Sequence, residues 1–298
     1  MDRLGSALGD DPIAALIMQE QLGPAYRAIV DGPWQEIAAR IAARAQGMAR
    51  PVIIGVAGSQ GSGKTSLCRF MELLLGRDYG IKAATLSIDD LYLTKAERRG
   101  LAANVHPLLA TRGVPGTHDV ALGAAIFAAF LAGEPQLRLP RFDKAMDDRA
   151  PAECWPVAAG PLDVLLFEGW CVGARPEPPE QLVVPVNGLE AAEDADGRWR
   201  RGVNAALTGP YCALFDRLDM LIALIAPGFE AVAAWRQEQE RKLRARTGRR
   251  MSPAEVERFV AHYERLTRSM LNTLPQDADV IAYLGEDHGV ANLRFSGR

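Results

Sequence analysis

The chain has 298 residues, 48% hydrophobic and 24% charged, with a net charge of −3 at pH 7. That balance excludes a disordered, fibrous or disulfide-scaffold protein, and it supplies no basic field of the kind that gathers nucleic acid, so any anion site must be local. The length exceeds a usual ~100–150-residue domain but suits one open α/β unit with appendages.

The N-terminus carries Asp2, Asp10 and Asp11 and lacks a basic segment followed by an apolar run, which argues against a secretory signal. No stretch approaches the ~20 apolar residues of a membrane helix. The four cysteines, Cys68, Cys154, Cys171 and Cys212, are too far apart for a C-x-x-C pair and lie among apolar or aromatic neighbours. Buried reduced thiols and a cytoplasmic location are expected.

Helical spacing predicts helices around Ile13 to Leu22 and over Trp34 to Ala45, where Trp34, Ile37, Ala38 and Ile41 recur. Residues 1–49 read as an N-terminal helical appendage and 50–298 as the main domain. Val52-Ile-Ile-Gly-Val-Ala57 is a short β-branched run expected to form a strand buried on both faces. Further apolar runs at 83–88, 164–167, 220–226 and 280–284 alternate with helical patterns such as 120–131 and 254–270. The order predicts an α/β fold, a mostly parallel sheet flanked by helices on both faces, with ligands beyond the carboxyl ends of the strands. Residues 101–119, 139–159 and 175–201, rich in Pro, Gly and charge, are expected to be long functional loops. No internal repeat is present.

Gly58-Ser59-Gln60-Gly61-Ser62-Gly63-Lys64-Thr65 matches G-x-x-x-x-G-K-[ST], follows a predicted strand and leads into a helical pattern from Ser66 to Leu75. The glycines let the backbone curl so that N–H groups face inward, and the following helix adds its positive end; a nucleoside triphosphate is the natural guest. Lys64 is expected on the β- and γ-phosphates and the Thr65 hydroxyl on Mg²⁺. The second strand ends Ile88-Asp89-Asp90-Leu91-Tyr92, putting two carboxylates at a carboxyl edge. Either Asp is a candidate base for a phosphoryl acceptor, and either can cap a turn. Asp163-Val-Leu-Leu-Phe-Glu168-Gly-Trp170 has the form of a Walker B strand, so Glu168 is expected near the phosphate loop, holding Mg²⁺ through water.

Seven Lys or Arg stand between Arg236 and Arg250 against two Glu, a basic helical stretch that suggests a lid over 235–250 with Arg236 and Arg241 reaching the triphosphate. Leu139-Pro-Arg141-Phe-Asp-Lys144 combines an aromatic, an acid and cations suited to a small polar acid. Arg112-Gly-Val-Pro-Gly-Thr-His118-Asp119 offers a fixed turn, a cation, a helix cap and a lone His, a residue that in such places is as often structural as functional. No His, Cys and Asp grouping has the spacing of a permanent zinc site.

In this order, Gly58-Ser-Gln-Gly-Ser-Gly-Lys-Thr65, Ser87-Ile-Asp-Asp-Leu-Tyr-Leu-Thr94, Arg112 to Asp119, Leu139 to Lys144, Phe167-Glu-Gly-Trp170 and Trp235-Arg-Gln-Glu-Gln-Glu240 resemble the D-glycerate 3-kinase family. That family lies within the group of uridine, phosphoribulo- and pantothenate kinases, and the resemblance runs from about Trp34 onward. It implies ATP as donor, D-glycerate as acceptor and phosphorylation of the 3-hydroxyl. It also points to Asp89 as the base, aligned with the single acid of a D-x-F-Y motif; Tyr92 and His118 are candidate substrate residues. Leu91 departs from that motif, and Lys144 to Arg149 is shorter than the Gly-rich plant-type loop. The acceptor carboxylate is assigned to Arg112, Arg141 or Lys144, since a bidentate Arg clamp suits a carboxylate better than a sugar. A kinase for another hydroxylated metabolite, such as pantothenate or a nucleoside, or an ATPase switch acting on a partner are the rival readings. The sequence carries no signal for oligomeric state.

Overall fold

The computed structural model describes residues 11–247 and 252–297. Among these, six strands form the main sheet: β1 (Val52–Gly58), β2 (Ala83–Ser87), β3 (Val164–Gly169), β4 (Met220–Ile225), β5 (Val280–Leu284) and β6 (Val290–Phe295). Their order is β6-β5-β4-β1-β3-β2, parallel except for the β6 edge strand. Every residue of β1 and β3 is buried, as their unbroken apolar runs require. Side chains alternate across the sheet, so Ile53 and Ala57 join one core while Val52, Ile54 and Val56 join the other.

The helices that matter for the site are α1 (Pro12–Gln19), α2 (Gln35–Gly47), α3 (Lys64–Tyr79), α4 (Lys95–Asn104), α5 (Val120–Leu131), α6 (Arg198–Ala206), α7 (Phe229–Thr247) and α8 (Pro253–Asp277). Their starts follow local chemistry. Asp11 caps α1 by accepting from Ile13 and Ala14 N–H, and Thr94-Glu97 and Ser252-Glu255 form capping boxes on α4 and α8. A helical turn at Val30–Trp34 leads into α2. Ile13, Ile17, Trp34, Ile37 and Ile41 pack with Val52, Ile54, Phe70 and Met71 in one cluster. The N-terminal helices therefore cover one face of the sheet.

Three differences from the sequence expectations have physical causes. β6 is a half-exposed edge strand whose weak alternation gives little signal. Within 175–201 the chain forms short helical pieces, Pro179–Leu182 and Gly188–Glu193, and enters α6; Arg200 and Arg265 accept the role of a missing ladder by donating to the carbonyls of Gln181, Leu182, Val183 and Val184. Cys68 and Cys171 are buried, but Cys212 is only half-buried and Cys154 is exposed on a turn. In space His106, Asp194 and Asp196 do approach one another. The Asp194 carboxylate, however, already accepts from Trp199 N–H, Arg200 N–H and the Arg200 guanidinium. No helix among the described residues is long and apolar enough to cross a membrane.

Because Ile41 is fully buried in the cluster shared with β1, Ile41→Ala should cost about 2–5 kcal/mol in denaturant unfolding. A loss under ~1 kcal/mol would show that α2 stands apart from the core of the sheet.

Candidate active site

The phosphate loop connects β1 to α3. Gly61 has φ +84, and a Cβ on it would lie 2.8 Å from Trp235 Cβ, so the position takes glycine alone. Gly63 caps α3 without any side-chain hydrogen bond, which leaves first-turn N–H groups available to an anion. Ser59 and Ser62 are buried in the loop with hydroxyls that meet no partner. The loop is braced from the N-terminal side: Glu20 accepts from Ser66 Oγ at 3.3 Å and pairs with Arg69.

The ladder sets Val56 opposite Glu168, and Glu168 opposite Ser87 on β2. Glu168 is 4% exposed; Thr65 Oγ1 donates to one of its oxygens at 3.3 Å, and the other is buried without a partner. Burial pushes the Glu168 carboxyl up, and the Lys64 charge pulls it back. An unpartnered carboxylate oxygen beside a hydroxyl, below an uncapped helix start, fits a hydrated divalent cation with phosphates.

A cavity of about 560 Å³ opens from the loop, lined by Gly61 to Ser66, by Leu22, Tyr26 and Ile29, by Trp235, Glu238 and Gln239, and by Asp287 to Gly289. Trp235 stacks on His288 with centroids 4.4 Å apart and donates to Glu286 O at 2.9 Å. The two arginines expected over the triphosphate do not line this cavity. Helical phase puts Trp235, Glu238 and Gln239 on the facing side of α7. Arg236 turns to Glu240 and lies over the Phe259 ring at 4.6 Å, and Arg241 is exposed beside Glu238 at 3.9 Å. Residues 248–250 of the expected lid lie outside the described residues.

At the end of β2 the chain turns tightly through Ile88–Leu91, which separates the two acids. Asp90 accepts from Phe142 N at 3.0 Å and from Arg141 at 2.7 Å, fixing the hairpin formed by Phe142–Asp143 and Asp148–Arg149. Asp89 instead accepts from the Tyr92 hydroxyl and from Lys144 Nζ, both at 2.8 Å. Burial disfavours the charged form of Asp89, but Lys144, Lys64 and Tyr92 outweigh it and hold the carboxyl at about 2. Arg112 pairs with Asp147 and lies over the Phe142 ring at 5.2 Å. Arg98, 2% exposed, was not singled out by the sequence; it donates to the Leu93, Ala110 and Asp147 carbonyls and so ties α4 to both loops.

The 112–119 loop is held by three aromatic side chains. Trp170 Nε1 donates to Gly113 O at 2.9 Å and the Tyr263 hydroxyl to Arg112 O at 3.2 Å. Gly113, at φ +139, leaves no room for a Cβ, which would meet the Tyr263 hydroxyl at 2.1 Å. The Tyr211 oxygen accepts from Gly116 N and His118 N at 2.9 and 3.2 Å, so its own proton goes to His118 Nδ1, 2.6 Å away. That assigns the His118 proton to Nε2, which is buried without a partner. Burial holds the ring down at about 4, and it stacks on Tyr92 with centroids 4.6 Å apart. The structure thus brings Lys64, Thr65, Asp89, Glu168, Tyr92 and His118 to one carboxyl edge, with Arg141 and Lys144 on the hairpin beside it.

The chain matches no protein-family model. It is 33% identical over 234 residues to the chloroplastic D-glycerate 3-kinase of Arabidopsis thaliana, a match covering 75% of this chain and 48% of the plant enzyme, so it spans about half the length of that relative. Over 228 residues it is 35% identical to mug58, an uncharacterized kinase of Schizosaccharomyces pombe, covering 72% of this chain and 79% of that one. The chain belongs to the D-glycerate 3-kinase family of P-loop kinases. The kinase is a phosphotransferase. Its fold is shared by the D-glycerate 3-kinase of Cryptococcus neoformans, with a TM-score of 0.75 and 24% identity over 89% of this chain and 99% of that one.

Tyr211→Phe would leave two loop N–H groups and His118 Nδ1 without their shared partner. The kinase variant should lose about 1–3 kcal/mol of stability in denaturant melts. An unchanged midpoint would mean the loop is held by Trp170 and Tyr263 alone.

Proposed function

We propose that this kinase transfers the γ-phosphoryl group of ATP to the 3-hydroxyl of D-glycerate, giving 3-phosphoglycerate. The observation that carries the reading is the setting of Asp89: a carboxylate at the strand edge, within the field of Lys64, and bordered by the cationic hairpin of Arg141 and Lys144. A small acid needs such a cation beside the base. A nucleoside would need an open aromatic face, and the Tyr92 ring is already stacked on His118 and meets Phe142 edge-on.

In this reading the loop amides and Lys64 bind the phosphates, and Thr65 and Glu168 hold Mg²⁺, which supplies charge neutralisation at the transferring group. Asp89 orients the acceptor hydroxyl and takes its proton. The His118 Nε2–H and one of Arg112, Arg141 and Lys144 contact the acceptor. The adenosine moiety occupies the cavity between Tyr26 and Trp235. The four free thiols support a reducing, cytoplasmic setting.

An ADP-release assay with Mg-ATP and D-glycerate, L-glycerate, pantothenate or uridine, each beside an acceptor-free control, tests the acceptor. Release that depends on D-glycerate is expected. Equal release without any acceptor would replace a kinase for this substrate by an ATPase. Asp89→Asn should lower kcat by about 10²–10⁴ while leaving ATP affinity nearly unchanged. Full turnover in that variant would remove Asp89 from the role of base.

A further inference from the structure

Without an acceptor, the Asp89 carboxylate is held from two sides. Both of its oxygens are engaged, one by Tyr92 and one by Lys144. The lysine is the removable partner. Its side chain is 64% exposed, whereas that of Asp89 is 31% exposed, and an ion pair so open to water is held weakly.

The backbone beneath Lys144 is fixed. Asp143 closes the turn by accepting from Ala145 N and Met146 N at 2.8 and 3.0 Å. Asp90 fixes one arm of the hairpin through Phe142 and Arg141, and Asp148 the other by accepting from Lys95 N at 3.0 Å. Arg98 and Arg112 hold Asp147 between them. Only the flexible four-carbon stem of Lys144 remains to swing.

The groups whose charge acts on Asp89 include Lys144 from the hairpin, Lys64 from the phosphate loop, Glu168 from β3 and the adjacent Asp90. Tyr92, His118, Cys171 and Tyr263 face it in neutral form. Among these the lysine on the hairpin is the strongest influence keeping the carboxyl low, and hence a poor proton acceptor.

We propose that Lys144 is a charge-operated specificity residue, holding Asp89 while the acceptor site is empty and passing to the carboxylate of an arriving hydroxy acid. The idea rests on the acceptor class proposed above. A neutral polyol offers no competing anion, so it leaves Asp89 locked; a hydroxy acid draws Lys144 away and frees one oxygen. The acceptor hydroxyl then gives its proton to Asp89. Its oxygen forms a bond to the γ-phosphorus as the bond from that phosphorus to the β,γ-bridging oxygen breaks, and the electron pair leaves with ADP. Water, being neutral, is refused by the same device, so idle ATP hydrolysis is suppressed.

The test compares wild type, Lys144→Met and Lys144→Arg in ADP release without acceptor, with D-glycerate and with glycerol. In Lys144→Met the preference in kcat/KM for D-glycerate over glycerol should fall by about 10- to 100-fold, the worth of one charged hydrogen bond, while acceptor-free release rises several-fold. The acid limb of kcat/KM, which reports the free enzyme, should move to higher pH, because removing a cation raises the carboxyl it faces. Lys144→Arg should keep the preference. A raised KM for D-glycerate with unchanged acceptor-free and glycerol-supported release would overturn the proposal and leave Lys144 a simple binding residue. If wild type shows no release dependent on D-glycerate, the acceptor assignment fails. The lock is then judged by acceptor-free release alone, and no rise in Lys144→Met would overturn it.

Discussion

The parallel ladder that sets Val56 opposite Glu168 is the constraint from which the site's geometry follows. Side chains on a strand alternate between faces, so a slip of one residue would turn Glu168 away from Thr65 and bring Phe167 or Gly169 to its place. Complete burial of both strands holds the register, since every residue has a counterpart core to fill. The same ladder continues to β2, where Ser87 stands opposite Glu168 and Asp89 follows two residues later. Glu168 is thus brought beside Ser87 from a distant part of the chain by backbone pairing, with Asp89 in the turn just beyond.

The charges around the 142–149 hairpin are arranged differently. There, Asp90, Asp147 and Asp148 serve as backbone and guanidinium anchors for a hairpin with almost no apolar core of its own, while Phe142 supplies the ring on which Arg98 and Arg112 rest. A nearly fully buried guanidinium with three carbonyl partners is costly to leave unpaired. Arg98 therefore makes the hairpin's position depend on α4 and on the end of the 107–110 turn at once.

What was legible in the sequence was local. The phosphate loop is one contiguous motif, and β1, β3, β4 and β5 announce themselves by unbroken apolar runs. Asp89 and Asp90 are neighbours whose difference appears only in space, because one meets Phe142 N and the other Lys144, each more than fifty positions away. Tyr211, Trp170 and Tyr263 brace the 112–119 loop through equally distant partners, and nothing in their own surroundings marks them. Arg236 and Arg241 show the converse: a basic run is visible in sequence, but which side of the helix faces the loop is settled by Trp235 packing against Gly61.

The cavity beside the phosphate loop joins Leu22 and Tyr26 to Asp287 and His288, so its walls come from both the earliest and the latest parts of the described chain. On the ribosome, β1 and the phosphate loop emerge long before β5 and the 287–289 turn. A nascent chain therefore carries the phosphate motif well before the cavity beside it can close. On the assignment proposed above, nucleotide bridges the two walls and acts as a ligand-dependent clasp that resists fraying from either direction.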